Sequence, residues 1–340
     1  MDLLEFAQRM PKAELHVHLE GSILPRTLIK LAHRNQVNLP VNDEASLVEF
    51  YRFRNFELFI ASYLMITKCL RTQDDYRLIA YEFGCECARQ NIHYAEVTFT
   101  IETSMSLTGL SWREILFGLN AGREEAHRDF GVWWQWVFDI VRNNPDTQNT
   151  VLDIALAAQE FGVIALGLGG AEEGYPSELF TETFERAKRE HLHRVPHAGE
   201  HGGPKSVWTA IYLLDAERIG HGVRSIEDPD LIEYLRTKSI PLEICLTSNI
   251  CLNVFSDYYH HPLRKLWDAG LLLTVNSDDP PMFGTDLNNE YQVLVKYFNF
   301  SQSELERISL NAVQASFLNQ GEKQKMVQEF KDEFVELSKS

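Results

Sequence analysis

Hydrophobic and polar positions alternate in a short stretch near the N-terminus of the chain. In residues 13–21, which read AELHVHLEG, aliphatic side chains alternate with His16, His18 and Glu20. Successive side chains of a β-strand point to opposite faces, so this pattern predicts a strand with both imidazoles and the carboxylate on one face. Two imidazoles at positions i and i+2 can share one metal ion. The alternative is the polar outer face of an edge strand.

Seven further stretches have the apolar runs and flanking turn residues of β-strands, and helical patterns separate them. These strands are predicted at 93–100, 132–140, 163–170, 193–198, 216–223, 241–249 and 271–279. No linker rich in Pro, Gly or Ser divides the chain, so we expect residues 1–340 to form a single domain. Eight strand-helix units predict an α/β fold, a closed (β/α)8 TIM barrel, with an open doubly wound sheet as the alternative.

Two regions are predicted to add helices to this barrel. A helical insertion of two or three helices is expected at about residues 42–90, after the first strand, and extra helices are expected after the eighth strand. The insertion carries aromatic residues at helical spacing: Phe50, Phe53, Phe56, Phe59 and Tyr63. Such a stripe is usually part of a core, although an inserted helix beside a barrel mouth can also serve as a lid.

Composition narrows the classes of partner and compartment. The formal net charge of −17 disfavours nucleic acid and anionic membranes, so we expect a small-molecule partner. No window of about 18 apolar residues is found and the N-terminus lacks a signal pattern, which predicts a soluble, cytoplasmic protein. Five cysteines without a C-x-x-C pair predict reduced thiols.

Residues able to bind a metal or move protons end several of the predicted strands. In a parallel barrel the reactive side chains lie at the C-terminal ends of the strands. The residues in question are His16 and His18 of the first strand, Gly169 and Gly170 of the fourth, His197 and Glu200 of the fifth, His221 of the sixth, and Asp278 and Asp279 of the eighth. Three imidazoles and one carboxylate suit zinc or another divalent ion and leave a position for water.

Four short motifs, in this order, resemble the adenosine deaminase family of the amidohydrolase superfamily. They are HVHLEGS at 16–22, HAGE at 197–200, RIGHG at 218–222 and SDDP at 277–280, and they span nearly the whole barrel. The resemblance implies a mononuclear enzyme with one Zn²⁺ per chain. Its ligands in this sequence would be His16, His18, His197 and Asp278.

The resemblance also implies roles at the substrate. In that family the glutamate of HAGE, here Glu200, protonates the purine ring nitrogen N1 as hydroxide attacks C6. The histidine of RIGHG, here His221, positions and activates the attacking water. The second aspartate of SDDP, here Asp279, contacts N7 and helps to orient the nucleophile. Residues matching the family's substrate contacts are His18, Glu20, Gly170 and Asp279.

The implied reaction is deamination of a 6-aminopurine nucleoside, with adenosine to inosine and ammonia as the first expectation. Two departures from the family pattern keep other substrates open. Glu20 stands where the adenosine-specific form has an Asp that contacts the 5′-hydroxyl, so a nucleoside with an extended 5′ group, such as aminodeoxyfutalosine, is an alternative. Adenine is another, although the adenine branch tends to carry two serines where this chain has Gly170 and Ala171 before Glu172. By strand alternation, the Glu20 carboxylate is predicted to point into the pocket beyond the metal.

Three rival classes were weighed against this interpretation. A binuclear amidohydrolase typically needs a lysine at the end of the fourth strand, and residues 163–170 contain none. Cytidine-type zinc deaminases carry a P-C-x-x-C signature, which is absent from the sequence. A non-enzymatic metal-binding barrel remains an alternative, but it leaves Glu200, His221 and Asp279 without a role.

Overall fold

Eight parallel strands form the centre of the molecule in the computed structural model, which describes residues 1–52 and 56–339. They are β1 Lys12–His18, β2 Ile92–Phe99, β3 Trp133–Val141, β4 Val163–Gly169, β5 His193–Ala198, β6 Ile219–His221, β7 Leu242–Ile244 and β8 Leu273–Val275. Each strand pairs with the next in chain order. Beyond β8, a bridge between Val17 and Asp278 joins the two ends of the sheet. The predicted (β/α)8 barrel is therefore confirmed.

Helices surround the strands and fill several of the loops. They are α1 Leu3–Arg9, α2 Pro25–Arg34, α3 Glu44–Phe50, α4 Phe56–Lys68, α5 Gln73–Arg89, α6 Ile101–Thr108, α7 Trp112–Phe130, α8 Gln148–Ala157, α9 Thr181–Arg189, α10 Pro204–Leu213, α11 Pro229–Lys238, α12 Leu246–Cys251, α13 Leu263–Asp268, α14 Pro280–Phe283, α15 Leu287–Phe298, α16 Gln302–Ala315 and α17 Gln320–Leu337. Within the described residues, no helix combines the length and apolar character needed to cross a membrane.

Alternation along β3 separates the outer core from the barrel interior. Trp134, Trp136 and Phe138 are buried in the large apolar core, whereas Val137 belongs to a small separate apolar cluster with Ala165 of β4 and Val195 of β5. Side chains at i and i+2 share a face of a strand. Asp139, two residues after Val137, therefore lies on the interior face as β3 approaches the C-terminal end of the barrel.

The segment between β1 and β2 contains α2, α3, α4 and α5. Of the aromatic stripe, Phe56, Phe59 and Tyr63 lie on α4, and Phe53 lies outside the described residues. The Phe59 ring stacks on Phe283 of α14, with 5.2 Å between the ring centroids. This contact joins α4 to the loop region that follows β8.

Several predicted strands extend past the observed ones: the sixth is predicted to end at residue 223 and the eighth at residue 279, whereas β6 ends at His221 and β8 at Val275. For the seventh and first strands the local reason is clear. Residues 246–251 form helix α12 instead of continuing β7, because the amide of Thr247 donates to the buried carboxylate of Glu290 and not to a neighbouring strand. The first strand ends at His18 and a 3-10 turn, Glu20–Ser22, follows it. In that turn the Ser22 hydroxyl donates to the carbonyl oxygen of His18 over 2.7 Å.

Candidate functional site

Four predicted metal ligands converge at the C-terminal end of the barrel. The Nε2 atoms of His18 and His197 lie 3.4 Å apart, and Asp278 Oδ1 lies 3.6 Å from His16 Nε2 and 3.5 Å from His18 Nε2. Ligand atoms about 2.0–2.1 Å from a tetrahedral zinc ion lie roughly 3.3 Å from one another. These donor atoms therefore have the spacing that one ion requires.

Closure of the barrel brings Asp278 to the two histidines of β1. The amide of His18 donates to the carbonyl oxygen of Asp278 over 2.8 Å, and the amide of Asp278 donates to the carbonyl oxygen of His16 over 3.2 Å. Asp278 holds a φ of 65°, in the left-handed region that disfavours residues other than glycine. His221 has a φ of 60°. Such backbone conformations cost of order 1–3 kcal/mol and concentrate at functional sites.

The protonation of these histidines suits cation binding. Burial lowers the pKa of His18 to about 4 and holds that of His197 well below its usual value, aided by the neighbouring imidazoles, so both present free lone pairs. Burial alone would also lower the pKa of His16, but the carboxylates of Asp278 and Glu243 outweigh it and raise the pKa to about 10. A position that attracts a proton so strongly also attracts a divalent ion.

Ring nitrogen Nε2 of His16 is buried and makes no hydrogen bond within the described residues. A buried polar atom without a partner costs about 1–3 kcal/mol, so its presence in a native site requires an explanation. The side chains of Asp278 and His197, two of the other predicted ligands, lie near it. The donor set and this unpaired nitrogen together fit a bound divalent ion.

A chain of buried charges holds the His16 ring in this orientation. His16 Nδ1 lies 2.9 Å from Glu243 Oε2, and Arg218 donates from Nε to Glu243 Oε1 over 2.6 Å. Arg218 Nη2 lies 2.5 Å from Glu96 Oε2. Metal-binding histidines usually donate their second nitrogen to a carboxylate in this way. Sequence reasoning missed Glu96 and Glu243, although a charged residue in the middle of an apolar strand was a signal.

Asn249 and His261 determine which nitrogen of His221 carries its proton. The amide of Leu263 donates to His261 Nδ1, so the proton of the neutral His261 ring is on Nε2, which lies 3.1 Å from Asn249 Oδ1. The Asn249 amide nitrogen then faces His221 Nδ1, 3.4 Å away. His221 consequently presents a protonated Nε2, which lies 3.8 Å from Glu200 Oε2. Neither Asn249 nor His261 was identified from the sequence.

Glu200 lies in a loop that a second buried carboxylate holds in place. Glu172, after β4, accepts hydrogen bonds from the amides of residues 199, 200, 201 and 202 at 2.8–3.0 Å, and from the Ser206 hydroxyl. Burial would raise the pKa of Glu172, but these donors outweigh it and hold the pKa below its usual value. Glu200 is 6% exposed, and its Oε1 makes no hydrogen bond within the described part of the chain.

Asp279 packs against the backbone of the turn after β1. A Cβ atom added to Gly21 would lie 1.7 Å from Asp279 Oδ1, so only glycine fits at that position. Burial, together with the charge of Asp278, raises the pKa of Asp279 well above its usual value.

A cavity of about 210 Å³ connects these groups with the surface at the C-terminal end of the barrel. Helix α4 supplies an apolar wall, and the polar lining comes from the ends of several strands. The lining residues are His18, Phe56, Phe59, Ile60, Tyr63, Leu64, Thr100, Thr103, Asp139, Val141, Asn143, Gly169, Gly170, His197, Glu200, His221, Leu252, Asp278 and Asp279. The cavity thus lies between α4 and the predicted metal ligands.

Glu20 is the predicted site residue that the structure places elsewhere. It belongs to the turn after β1, so strand alternation does not determine its direction, and it is not among the residues that line the cavity. Its Oε1 accepts from the amide of Thr100 over 3.0 Å. Burial and the charge of nearby Asp139 raise the pKa of Glu20 to about 8. Glu20 thus neighbours the cavity wall without forming part of it.

The remaining predicted residues come together around the cavity. His18, His197 and Asp278 line the cavity, and Asp278 links them to His16 over the 3.6 Å distance given above. The groups predicted to face a substrate line the same cavity: Gly170, Glu200, His221 and Asp279. Sequence reasoning missed Asp139, which lines the same cavity from β3. Its signal was a carboxylate near the C-terminal end of an otherwise apolar predicted strand.

Comparison with known proteins gives consistent matches along nearly the whole chain. The family model described as adenosine deaminase matches residues 11–333. An aminodeoxyfutalosine deaminase of Streptomyces avermitilis is 40% identical over 96% of this chain and 92% of its own length. The crystal structure of an adenine deaminase from Arthrobacter aurescens has a TM-score of 0.91 and 31% identity, covering 97% of this chain and 100% of that one. An amidohydrolase from Burkholderia ambifaria, solved with bound Zn, has a TM-score of 0.92 and 25% identity, covering 100% and 95%.

Proposed function

This chain belongs to the adenosine deaminase family, and we propose that it is a zinc-dependent hydrolytic deaminase of a purine nucleoside with an extended 5′ group. The family places the enzyme among hydrolases that cleave C–N bonds of adenine-type substrates. The observation that carries the finer proposal is the 40% identity with an aminodeoxyfutalosine deaminase over almost the full length of both chains. Among the substrates considered from the sequence, this favours the extended nucleoside over adenosine.

The apolar wall of the cavity supports an extended substrate. Phe56, Ile60 and Leu64 of α4 line the cavity, on the side formed by this helix and away from the metal ligands. Binding sites bury most of a ligand against apolar and aromatic side chains, with a few polar groups that fix its orientation. A substituent at the 5′ position can pack against this apolar wall, whereas free adenine is too small to reach it.

His16, His18, His197 and Asp278 are the residues proposed to hold one zinc ion. The unpaired Nε2 of His16, the neutral rings of His18 and His197 and the spacing of the donor atoms fit that role. The zinc-bound neighbour of the same fold is consistent with it. When bound, a divalent ion makes hydroxide available from water at neutral pH.

The other residues account for the remaining proton transfers. Water adds across the C6–N1 bond: oxygen joins C6 and Glu200 delivers a proton to N1, which removes the charge that would otherwise develop on the ring. His221, held with its proton on Nε2, orients the attacking water. Asp279 contacts N7 of the purine, and the backbone of Gly170 contacts the ring edge opposite N7. Together they fix the orientation of the ring. The proton of the new C6 hydroxyl then passes to N6, the C6–N6 bond breaks, ammonia leaves, and the 6-oxopurine remains.

A second candidate substrate is adenine, favoured by the similarity to the Arthrobacter aurescens enzyme. The pair of serines typical of the adenine branch is replaced here by Gly170 and Ala171, which argues against it. Ammonia release from aminodeoxyfutalosine, adenosine and adenine distinguishes these candidates. We expect kcat/KM to be highest for aminodeoxyfutalosine and lowest for adenine. The highest kcat/KM for adenine would contradict the proposed substrate.

A further inference from the structure

Asp139 is a buried carboxylate that faces the cavity without a partner for one of its oxygens. It is 4% exposed and lines the cavity from the interior face of β3. Its Oδ1 makes no hydrogen bond within the residues that the structure describes. A Cβ atom added to Gly169 would lie 3.0 Å from Asp139 Oδ2, so the neighbouring glycine leaves the carboxylate uncovered. A buried acceptor without a partner requires an explanation, and a donor brought by the substrate supplies one.

The order of the strands indicates which part of a substrate lies beside Asp139, and this step rests on the proposed function. In the proposed function, C6 lies at the metal ligands, purine N1 lies at Glu200 after β5 and N7 lies at Asp279 after β8, and the ring edge opposite N7, which carries N3, is placed at Gly170 after β4. N9 lies between the N3 and N7 sides of the ring. The strands proceed in order around the barrel, so N9 faces the sector formed by β1, β2 and β3. The sugar attached to N9 therefore enters the sector that contains Asp139.

We propose that Asp139 is a specificity-determining residue that accepts a hydrogen bond from a sugar hydroxyl of the nucleoside. A hydroxyl is the donor that the N9 substituent brings to this sector, and Asp139 offers the unpaired acceptor. The hydroxyl of Thr100, from the end of β2, lies on the same wall of the cavity and adds polar character there. Free adenine leaves the Asp139 oxygen unpaired, so the same residue selects against the base.

The test compares adenosine, 2′-deoxyadenosine and 3′-deoxyadenosine in the zinc-loaded wild-type enzyme and in Asp139→Ala. In the wild type, loss of the contacted hydroxyl is expected to lower kcat/KM by about 10- to 100-fold, the usual value of a hydrogen bond to a charged group. In Asp139→Ala, removal of the same hydroxyl from the substrate is expected to change kcat/KM by less than threefold. The kcat/KM of Asp139→Ala for adenosine should fall to the kcat/KM of the wild type for the deoxynucleoside that lacks the contacted hydroxyl.

Two further variants keep the result interpretable. Asp139→Asn has the shape of the native side chain and retains an acceptor oxygen, so its hydroxyl dependence should be intermediate, and it serves if Asp139→Ala does not fold. Asp146→Asn, exposed in the loop after β3, is the matched control and should keep the wild-type dependence. Equal kcat/KM for the three nucleosides in the wild type, or an unchanged hydroxyl dependence in the Asp139 variants, would overturn the inference. Ammonia release from no purine nucleoside would instead refute the proposed function, and the inference with it.

Discussion

The orientation of His221 toward Glu200 depends on neighbouring residues that do not line the cavity. His221 has its protonated nitrogen facing Glu200 because a series of hydrogen bonds runs from the Leu263 amide through His261 and Asn249. Glu243 does the same for His16, from the side opposite the metal ligands. The side chains proposed for metal binding and proton transfer are therefore held by buried partners that fix one tautomer and one orientation.

Replacing Glu200 with Gln is expected to lower kcat by about two orders of magnitude or more, because it removes the proposed proton donor and leaves the shape of the side chain. Metal content and the thermal unfolding temperature should stay near those of the wild type. The matched control is Glu190→Gln, an exposed residue at the end of α9. Near-native kcat in a folded, metal-loaded Glu200→Gln protein would show that the role assigned to this residue is wrong.

Replacing Glu243 with Gln is expected to weaken zinc binding by about 10- to 100-fold, the usual effect of losing a carboxylate that orients a metal-binding histidine. Competition with a zinc chelator measures the change. Glu233→Gln, on the exposed face of α11, provides the control. Unchanged zinc affinity in a folded Glu243→Gln protein would mean that zinc binding does not require the Glu243 carboxylate to orient His16.

At the element scale, the loops after β4 and β5 act as one unit. Glu172, from the first loop, binds four consecutive amides of the second, and Arg142, after β3, donates to the carbonyl oxygens of Tyr175 and His197 at 2.8 Å each. These bonds fix the path of the chain between His197 and Glu200. The proposed metal ligand and proton donor are thereby held in a constant relation.

Glu172→Gln is expected to lower the free energy of unfolding at pH 7 by about 1.5–3 kcal/mol, since a charged acceptor is lost. The folded-state pKa of Glu172 lies below the usual value, so its stabilisation is present above the ordinary glutamate pKa of about 4.3 and is lost as pH falls through the folded-state pKa. The difference in unfolding free energy between wild type and variant should therefore narrow below pH 4.3. Denaturant unfolding across pH measures this.

The neighbouring Glu173 supplies the control for that experiment, because it is exposed and differs by one position in the same loop. Glu173→Gln should follow the wild-type stability curve throughout. If the difference in the free energy of unfolding between wild type and Glu172→Gln stayed constant down to acidic pH, the charge of Glu172 would not contribute to stability.

The elements were predictable where local pattern determines them and not where distant contacts do. Helices separate the strands as the helical patterns predict, since the periodicity and the caps of a helix such as α7 or α11 lie within its own segment. Helix α12 was missed because its start depends on Glu290, over forty positions away. Strand alternation could not determine the direction of Glu20, because the chain leaves the strand after His18. Likewise, no local pattern pairs Glu172 with the HAGE loop.

At the scale of the whole molecule, the proposed metal ligands come from opposite ends of the chain and meet only when the barrel closes. His16 and His18 lie on the first strand, Asp278 follows the last, and His197 comes from the fifth. The Val17–Asp278 bridge completes the ring that brings them together. The sequence motifs predicted this gathering because parallel strands of a barrel end on one face. They could not predict the cavity wall formed by α4, which depends on tertiary packing.

The central claim is that this barrel deaminates a purine nucleoside by means of one divalent ion held by His16, His18, His197 and Asp278. The most direct measurement is ammonia release from aminodeoxyfutalosine as zinc is removed by a chelator and then added back in steps, with bound zinc measured at each step. We predict that activity disappears with the metal, returns in proportion to bound zinc, and reaches its maximum at one ion per chain. Undiminished ammonia release by the zinc-free protein would contradict the account.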